Sequence, residues 1–75
     1  MTIINNLPNY YTNYPFLVAR RVDGDWWFWG CYSTRERAAR VAWDEDGEVF
    51  TSDEVEEGAM WKEGGEIPPL FYPLS

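Results

Sequence analysis

The sequence predicts a small α+β domain with the element order β-β-α-β, in which a three-stranded antiparallel sheet carries one helix on one face. Three observations support this fold: an Asp-Gly pair between two apolar runs, a capping motif before an alanine-rich stripe, and a short strand pattern after it. The 75 residues make a single domain. Its predicted parts are an extended arm (1–14), a ββαβ core (15–51), and an acidic turn with an extended proline-rich tail (52–75).

The first two strands form a hairpin. Phe16–Val22 and Asp25–Tyr32 are apolar and aromatic runs that flank Asp23-Gly24, and Gly accepts the positive φ that a two-residue turn requires. A two-residue turn pairs Val22 with Asp25, Arg20 with Trp27, Val18 with Trp29 and Phe16 with Cys31. A bulged turn would shift this pairing by one residue.

Both faces of this hairpin are apolar, whereas a half-buried strand alternates apolar with polar residues. One helix can cover only one face. We therefore expect the segment Ile67–Leu74, which contains three prolines and cannot form a regular helix, or a second subunit to cover the other face.

The helix begins after Ser33, which is predicted as the N-cap with Glu36 at N3 of a capping box. Ala38, Val41 and Ala42 then form an apolar stripe, and the helix should end near Glu45 or Asp46. Glu48–Thr51 is the predicted third strand. Ser52 is placed to cap a short helical turn over Asp53–Glu57.

Charge is unevenly distributed along the chain. Residues 1–43 hold five Arg and three acids, for a net charge of +2, and residues 44–75 hold ten acids and one Lys, for −9, giving the total of −7. The acidic half serves either solubility or the recognition of a basic partner. Acids at the end of the helix oppose its macrodipole, so helix stability alone does not explain them.

Several function classes lack the residues they need. The chain has no His and a single cysteine, Cys31, so it offers no histidine for acid–base catalysis, no Cys–His or Ser–His pair, no zinc ligand set and no internal disulfide. We expect no enzyme activity, no metal and no cofactor. The acidic balance argues against direct binding of nucleic acid, and no apolar run is long enough for a membrane helix. The lone cysteine and the absence of a signal peptide favour the cytoplasm.

The segment ARRVDGDWWFWGCYSTRERAARVAWDEDGEVF, from Ala19 to Phe50, resembles small uncharacterised accessory proteins of bacterial phages and prophages. These read as Ala-Arg, Asp-Gly, an aromatic strand, Gly-x-Tyr, a capped Arg/Glu/Ala helix and Gly-x-Val. The resemblance implies an accessory phage gene acting in the host bacterial cytoplasm. Many such genes encode inhibitors of host defence, among them small acidic anti-CRISPR proteins that block the nucleic-acid channels of Cas proteins.

The leading functional hypothesis is a phage-borne inhibitor whose carboxylates occupy a basic, nucleic-acid-binding surface of a protein partner such as a Cas effector. One alternative is a nucleotide or small-ligand binder that stacks its ligand on the aromatic hairpin, with Arg20 and Arg21 as phosphate contacts. Another is a structural protein that self-associates as a homodimer. The candidate partner-binding residues are Asp44, Glu45, Asp46, Glu48, Asp53, Glu54, Glu56, Glu57, Trp26, Trp27, Trp29 and Trp43.

Overall fold

The structure, a computed structural model, describes residues 1–60. Within them lie one α-helix, α1 (Arg35–Glu45), and five strands: β1 (Thr2–Asn5), β2 (Phe16–Val22), β3 (Asp25–Tyr32), β4 (Glu48–Thr51) and β5 (Val55–Glu57). The strands form one sheet in the order β4-β2-β3-β1-β5. The α+β class is therefore confirmed, and the predicted antiparallel set β4-β2-β3 is present. The sheet is nevertheless mixed and two strands wider, because β1 runs parallel to both β3 and β5.

The two additional strands come from segments for which the sequence predicts other structures. β1 lies in the predicted extended arm and pairs Ile4 with Trp26 of β3. β5 replaces most of the predicted helical turn over Asp53–Glu57, of which only a 3₁₀ turn at Ser52–Glu54 forms. Val55 is almost fully buried where it pairs with Thr2, and this burial outweighs the local preference for a turn. The predicted covering segment, Ile67–Leu74, lies outside the described residues.

The hairpin turn has the predicted form. Asp23 and Gly24 have φ values of 51° and 87°, the positive values of a type I′ turn. The pairs Val22–Asp25 and Arg20–Trp27 also form as expected. Further along, Trp29 is an extra residue in β3, so Val18 pairs with Gly30 and Phe16 with Tyr32. The predicted pairs Val18–Trp29 and Phe16–Cys31 are therefore wrong, because a β-bulge advances the register by one residue.

The sheet is strongly curled. β4 and β5 are its opposite edges, which four interstrand spacings would place about 19 Å apart in a flat sheet. Yet only Ser52–Glu54 separates Thr51 from Val55, and four residue steps span at most about 14 Å. The concave face encloses one apolar cluster with members from every strand: Ile4, Leu7, Leu17, Ala19, Phe28, Phe50 and Val55. The second apolar face of the hairpin is thus buried inside the curled sheet, largely by β1, β5 and Leu7.

The helix packs on the convex face, where the predicted Ala38 and Ala42 are buried against Val18. Its N-cap is Thr34, whose side-chain oxygen accepts a hydrogen bond from the Arg37 backbone N–H at 3.2 Å. The prediction of Ser33 as N-cap is therefore wrong by one residue: Thr34 has the extended backbone and the spacing to Arg37 that the cap requires. The helix ends at Glu45, as predicted, and Asp46 follows in the left-handed conformation.

Candidate protein-binding surface

Eight acidic residues follow one another along the chain from the end of α1 through β4 and the 3₁₀ turn to β5, and we call this set the acidic ridge. The ridge holds eight carboxylates and no basic residue between positions 44 and 57. Seven of the eight residues are exposed, and Glu45 is half-buried. The ridge consists of Asp44, Glu45, Asp46, Glu48, Asp53, Glu54, Glu56 and Glu57.

The first part of the ridge is fixed by the way the chain leaves the helix. Asp46 adopts φ 56°, and the Gly47 N–H donates to the Ala42 carbonyl at 2.8 Å, which closes the last turn. Gly47 lies so close to β2 that an added Cβ would stand 2.7 Å from the Ala19 carbonyl oxygen. This close approach requires glycine, and it holds Glu48 at a defined point beside the end of the helix.

The second part of the ridge is organised by the 3₁₀ turn. The Thr51 N–H donates to the Glu54 carboxylate at 2.8 Å, and the Thr51 hydroxyl donates to the Asp53 carboxylate at 2.6 Å. Asp53 and Glu54 therefore have a local structural role. By contrast, the side chains of Asp44 and Glu48 make no hydrogen bond or ion pair with any other residue in the 1–60 range, and both residues are exposed.

Trp43 is the apolar feature of this surface. Its side chain is 88% exposed, the highest exposure among the large apolar residues of the described chain. It lines a shallow depression between the second half of α1 and β4. The other residues around this depression are Ala39, Ala42, Asp46, Gly47, Glu48 and Val49. The structure therefore brings an exposed indole together with two carboxylates of the ridge, and we call this area the Trp43 surface.

The three hairpin tryptophans are placed differently, since each is half-buried. Trp26 packs against the concave cluster and lies edge-to-face with Phe50 at 5.1 Å between ring centroids. Trp29 packs against the cluster beneath the helix. Arginine side chains also cover these rings, with the Arg20 guanidinium 5.3 Å from the Trp29 centroid and the Arg21 guanidinium 5.6 Å from that of Trp26. Among the four candidate tryptophans, only Trp43 is largely exposed.

A second concave feature lies at the far end of β3, and all of its lining residues except Trp29 are ones that sequence reasoning did not select. Tyr10 and Tyr14, whose rings meet edge-to-face at 6.4 Å, form one wall. Residues 28–32 of β3 form the other wall. The groove has a volume of about 290 Å³ and is open to solvent. We call this feature the aromatic groove; the tyrosine-rich composition of the predicted arm was the only signal for it in the sequence.

Two titratable groups line the aromatic groove. Burial raises the pKa of the Cys31 thiol from 9.0 to about 11. The pKa of the Tyr32 hydroxyl is also raised, mainly by burial. The guanidinium of Arg37 lowers this pKa by a smaller amount, and the charges of Cys31 and Glu45 add to the increase. Because a thiol with a raised pKa is a weak nucleophile near neutral pH, Cys31 is a packing residue rather than a reactive one.

Comparison with known proteins found no match to this chain among family models, curated proteins or solved structures. No helix among residues 1–60 has the length and apolarity to cross a membrane. Within the same residues, no group of three Cys, Asp or Glu side chains is arranged to hold a metal ion. The function of the chain is therefore inferred from the charge and exposure of the surfaces described above.

Proposed function

We propose that this protein is an inhibitory binding protein that docks its acidic ridge and Trp43 on a basic, nucleic-acid-binding surface of a partner protein. The observation that carries the proposal is the placement of an 88% exposed indole beside the carboxylates of Asp46 and Glu48. A phage-borne inhibitor of a bacterial defence nuclease, of the anti-CRISPR type, is the form of this function that the sequence resemblance favours.

The charge of the ridge supports a basic partner. Carboxylates at successive points along one chain path imitate the repeated negative charges of a nucleic-acid backbone, and lysine and arginine side chains that bind phosphates bind carboxylates equally well. Such charges also steer the encounter of two proteins and raise the association rate. A solubilising surface has no need of the exposed tryptophan that lies within it.

The exposure of the Trp43 side chain favours a protein as the partner over a small ion. A solvent-exposed indole exposes apolar area to water in the free protein, and this cost is recovered when a partner buries it. Tryptophan is enriched among the residues that dominate binding free energy in protein interfaces. The depression beside Trp43 gives such a partner a surface to fill, with carboxylates at its rim.

The stacking alternative is less well supported. It requires open aromatic faces on the hairpin, but the guanidinium groups of Arg20 and Arg21 lie over the rings of Trp29 and Trp26. These two arginines, which the hypothesis assigns to phosphate binding, are instead placed against the platforms on which a base would stack. We therefore propose the protein-binding function alone.

The test is a DNA-cleavage assay with a panel of purified bacterial defence nucleases, including RNA-guided ones, in the presence of this protein. Inhibition of at least one nuclease should weaken as salt rises, because ionic screening acts over about 8 Å at physiological ionic strength. Trp43→Ala should weaken inhibition by about tenfold or more, the effect expected of an interface anchor.

A matched pair of charge-reversal variants separates the effect of the ridge carboxylates on inhibition from the effect of the protein's net charge. Asp44→Lys with Glu48→Lys changes the ridge, and Asp25→Lys with Glu36→Lys makes the same change in total charge at exposed positions elsewhere. The first variant should lose inhibition and the second should keep it. If both variants inhibit as the wild type does, or if no nuclease in the panel is inhibited, the proposal is wrong.

A further inference from the structure

The aromatic groove lies along an open edge of the sheet. β1 pairs with β3 only at Trp26 and Trp27, and then turns away at Asn6, which has φ 61°. Beyond that point, within the described part of the chain, residues 28–32 of β3 pair with β2 on one side and with no strand on the other. An open strand edge is a site at which an extended segment can add.

The walls of the groove favour a proline-rich occupant. Extended proline-rich segments bind grooves lined by aromatic rings, because the pyrrolidine ring packs on an aromatic face and the preset backbone loses little entropy. Tyr10 and Tyr14 supply such rings on one side of the groove, and Tyr32 supplies one on the other side. A segment with several prolines lacks the N–H groups for a complete strand ladder, so packing on these rings would provide most of its binding.

The path of the chain brings its own C-terminal part to this place. Ala59 is bound next to β1, where its N–H donates to Asn5 Oδ1 at 2.9 Å and its carbonyl accepts from the Asn6 N–H at 2.7 Å. Asn5 pairs with Trp27, the residue that precedes the open edge. The described chain thus ends one residue after a point that adjoins the groove.

The sequence after that point contains the required chemistry. Residues 67–74 read IPPLFYPL, with three prolines, two aromatic residues and no charge. The seven residue steps from Met60 to Ile67 span up to about 25 Å, and the five residues of the open edge extend over about 17 Å. The segment is therefore long enough, and attached closely enough, to reach the whole groove.

We infer that the aromatic groove is the docking site of this chain's own proline-rich segment, Ile67–Leu74, in an intramolecular contact. Docking places the segment along the open edge of β3 and against the Tyr10 and Tyr14 rings. It leaves the Trp43 surface, which is formed by α1 and β4, available to a partner. The contact does not depend on the proposed inhibitory function.

Cys31 provides an internal reporter, because it is the sole cysteine and lines the groove. The rate at which N-ethylmaleimide labels Cys31 is measured by mass spectrometry at a pH of about 9, where more of the thiol is ionised than at neutral pH. Three proteins are compared. They are the wild type, a docking variant (Pro68→Ser, Pro69→Ser, Phe71→Ser), and a control with the same number of serines in the preceding residues (Lys62→Ser, Glu63→Ser, Glu66→Ser).

The docking variant should label about tenfold faster or more, because the segment that shields the groove is released, and the control should label like the wild type. Hydrogen exchange measured on the same proteins should quicken at residues 28–32 and stay unchanged in α1, which shows that the fold is intact. Equal labelling rates in all three proteins would overturn the inference.

Two further outcomes are decisive. Shielding of Cys31 that strengthens with protein concentration would mean that a second copy supplies the segment, and the intramolecular contact would be excluded. If the docking variant fails to fold, the pair Pro68→Ser and Pro69→Ser is tested alone, and full retention of shielding in that folded variant would also refute the contact.

Discussion

The rings of Trp26 in β3 and Phe50 in β4 meet edge-to-face with 5.1 Å between their centroids and an interplanar angle of 76°, although β2 lies between these two strands in the sheet. Trp26 lies near the hairpin turn of β3, and Phe50 lies in the edge strand β4. The two side chains can touch only because the sheet curls and its concave face brings distant strands together. The strength of this contact is therefore a measure of how much the curled shape of the sheet contributes to stability.

We expect Phe50→Ala to lower the free energy of unfolding by about 3 kcal/mol, because it removes a buried aromatic side chain and leaves a cavity. A double-mutant cycle with Trp26→Ala should give a coupling of about 1 kcal/mol, in the range of aromatic pairs. Urea unfolding measures both quantities. Trp43→Ala is the control, with an expected change within about 0.5 kcal/mol, since its side chain is exposed. Additive effects of Trp26 and Phe50 would show that the ring contact contributes nothing.

The N-terminus of α1 gives a second prediction. Thr34→Ala removes the hydrogen bond from the Arg37 N–H and should cost about 1 kcal/mol of stability. Ser33→Ala, one residue earlier, should change stability by less than about 0.5 kcal/mol, because the Ser33 side chain is exposed and does not cap the helix. The midpoints of urea unfolding distinguish the two variants. A larger effect at Ser33 than at Thr34 would contradict the observed cap.

The sequence predicts those parts of the fold that local chemistry determines. The Asp23-Gly24 turn and the end of α1 near Glu45 depend on backbone preferences of a few neighbouring residues, and both are found where expected. The helix face is equally local, because the alanines that pack on Val18 repeat with the helical period.

The parts that the sequence does not reveal depend on distant partners. β1 is four residues long and pairs in parallel with β3, so its apolar residues show no alternation that could identify it. β5 is held by one buried side chain, Val55, between acidic residues that disfavour strands. The bulge at Trp29 moves Cys31 to the concave side, a change that no residue type in the run indicates.

The candidate site likewise has one part that the sequence predicts and one part that depends on tertiary contacts. The acidic ridge can be read directly from composition, since exposure is the ordinary state of carboxylates. Which tryptophan is exposed cannot be predicted from the sequence, because the exposure of Trp26, Trp29 and Trp43 depends on the tertiary contacts that cover each ring. The structure leaves Trp43 88% exposed among the described residues.

Stability should fall at alkaline pH through Cys31. The pKa of its thiol is 9.0 when unburied and about 11 in the fold, so the neutral form is favoured by folding. The resulting stabilisation is fully present below about pH 9 and is lost as pH rises towards 11. Cys31→Ala should therefore show a shallower decline in urea midpoint between pH 8 and 10.5 than the wild type. Tyr32 is present in both proteins, but the charge of Cys31 contributes to the raised pKa of its hydroxyl, so the difference measures Cys31 together with its coupling to Tyr32. Parallel pH profiles would contradict this assignment.

The last prediction separates a binding ridge from a merely solubilising one by the sign of a stability change. Asp44 lies in the last turn of α1, where the macrodipole disfavours negative charge, and Glu36 lies in the first turn, where negative charge is favoured. Asp44→Lys with Glu48→Lys should therefore raise the free energy of unfolding slightly, by about 0.5 kcal/mol at low salt. Asp25→Lys with Glu36→Lys should lower it by a similar amount, although both variants change the net charge equally. Urea unfolding at low and high salt tests this, and both changes should shrink as salt rises.

A ridge variant that is more stable than the wild type and yet no longer inhibits a nuclease would show that the carboxylates of Asp44 and Glu48 serve binding at the expense of the helix. A ridge variant that is less stable than the wild type at low salt would mean that these carboxylates have a structural role, and the case for a surface selected to bind a partner would lose its energetic support.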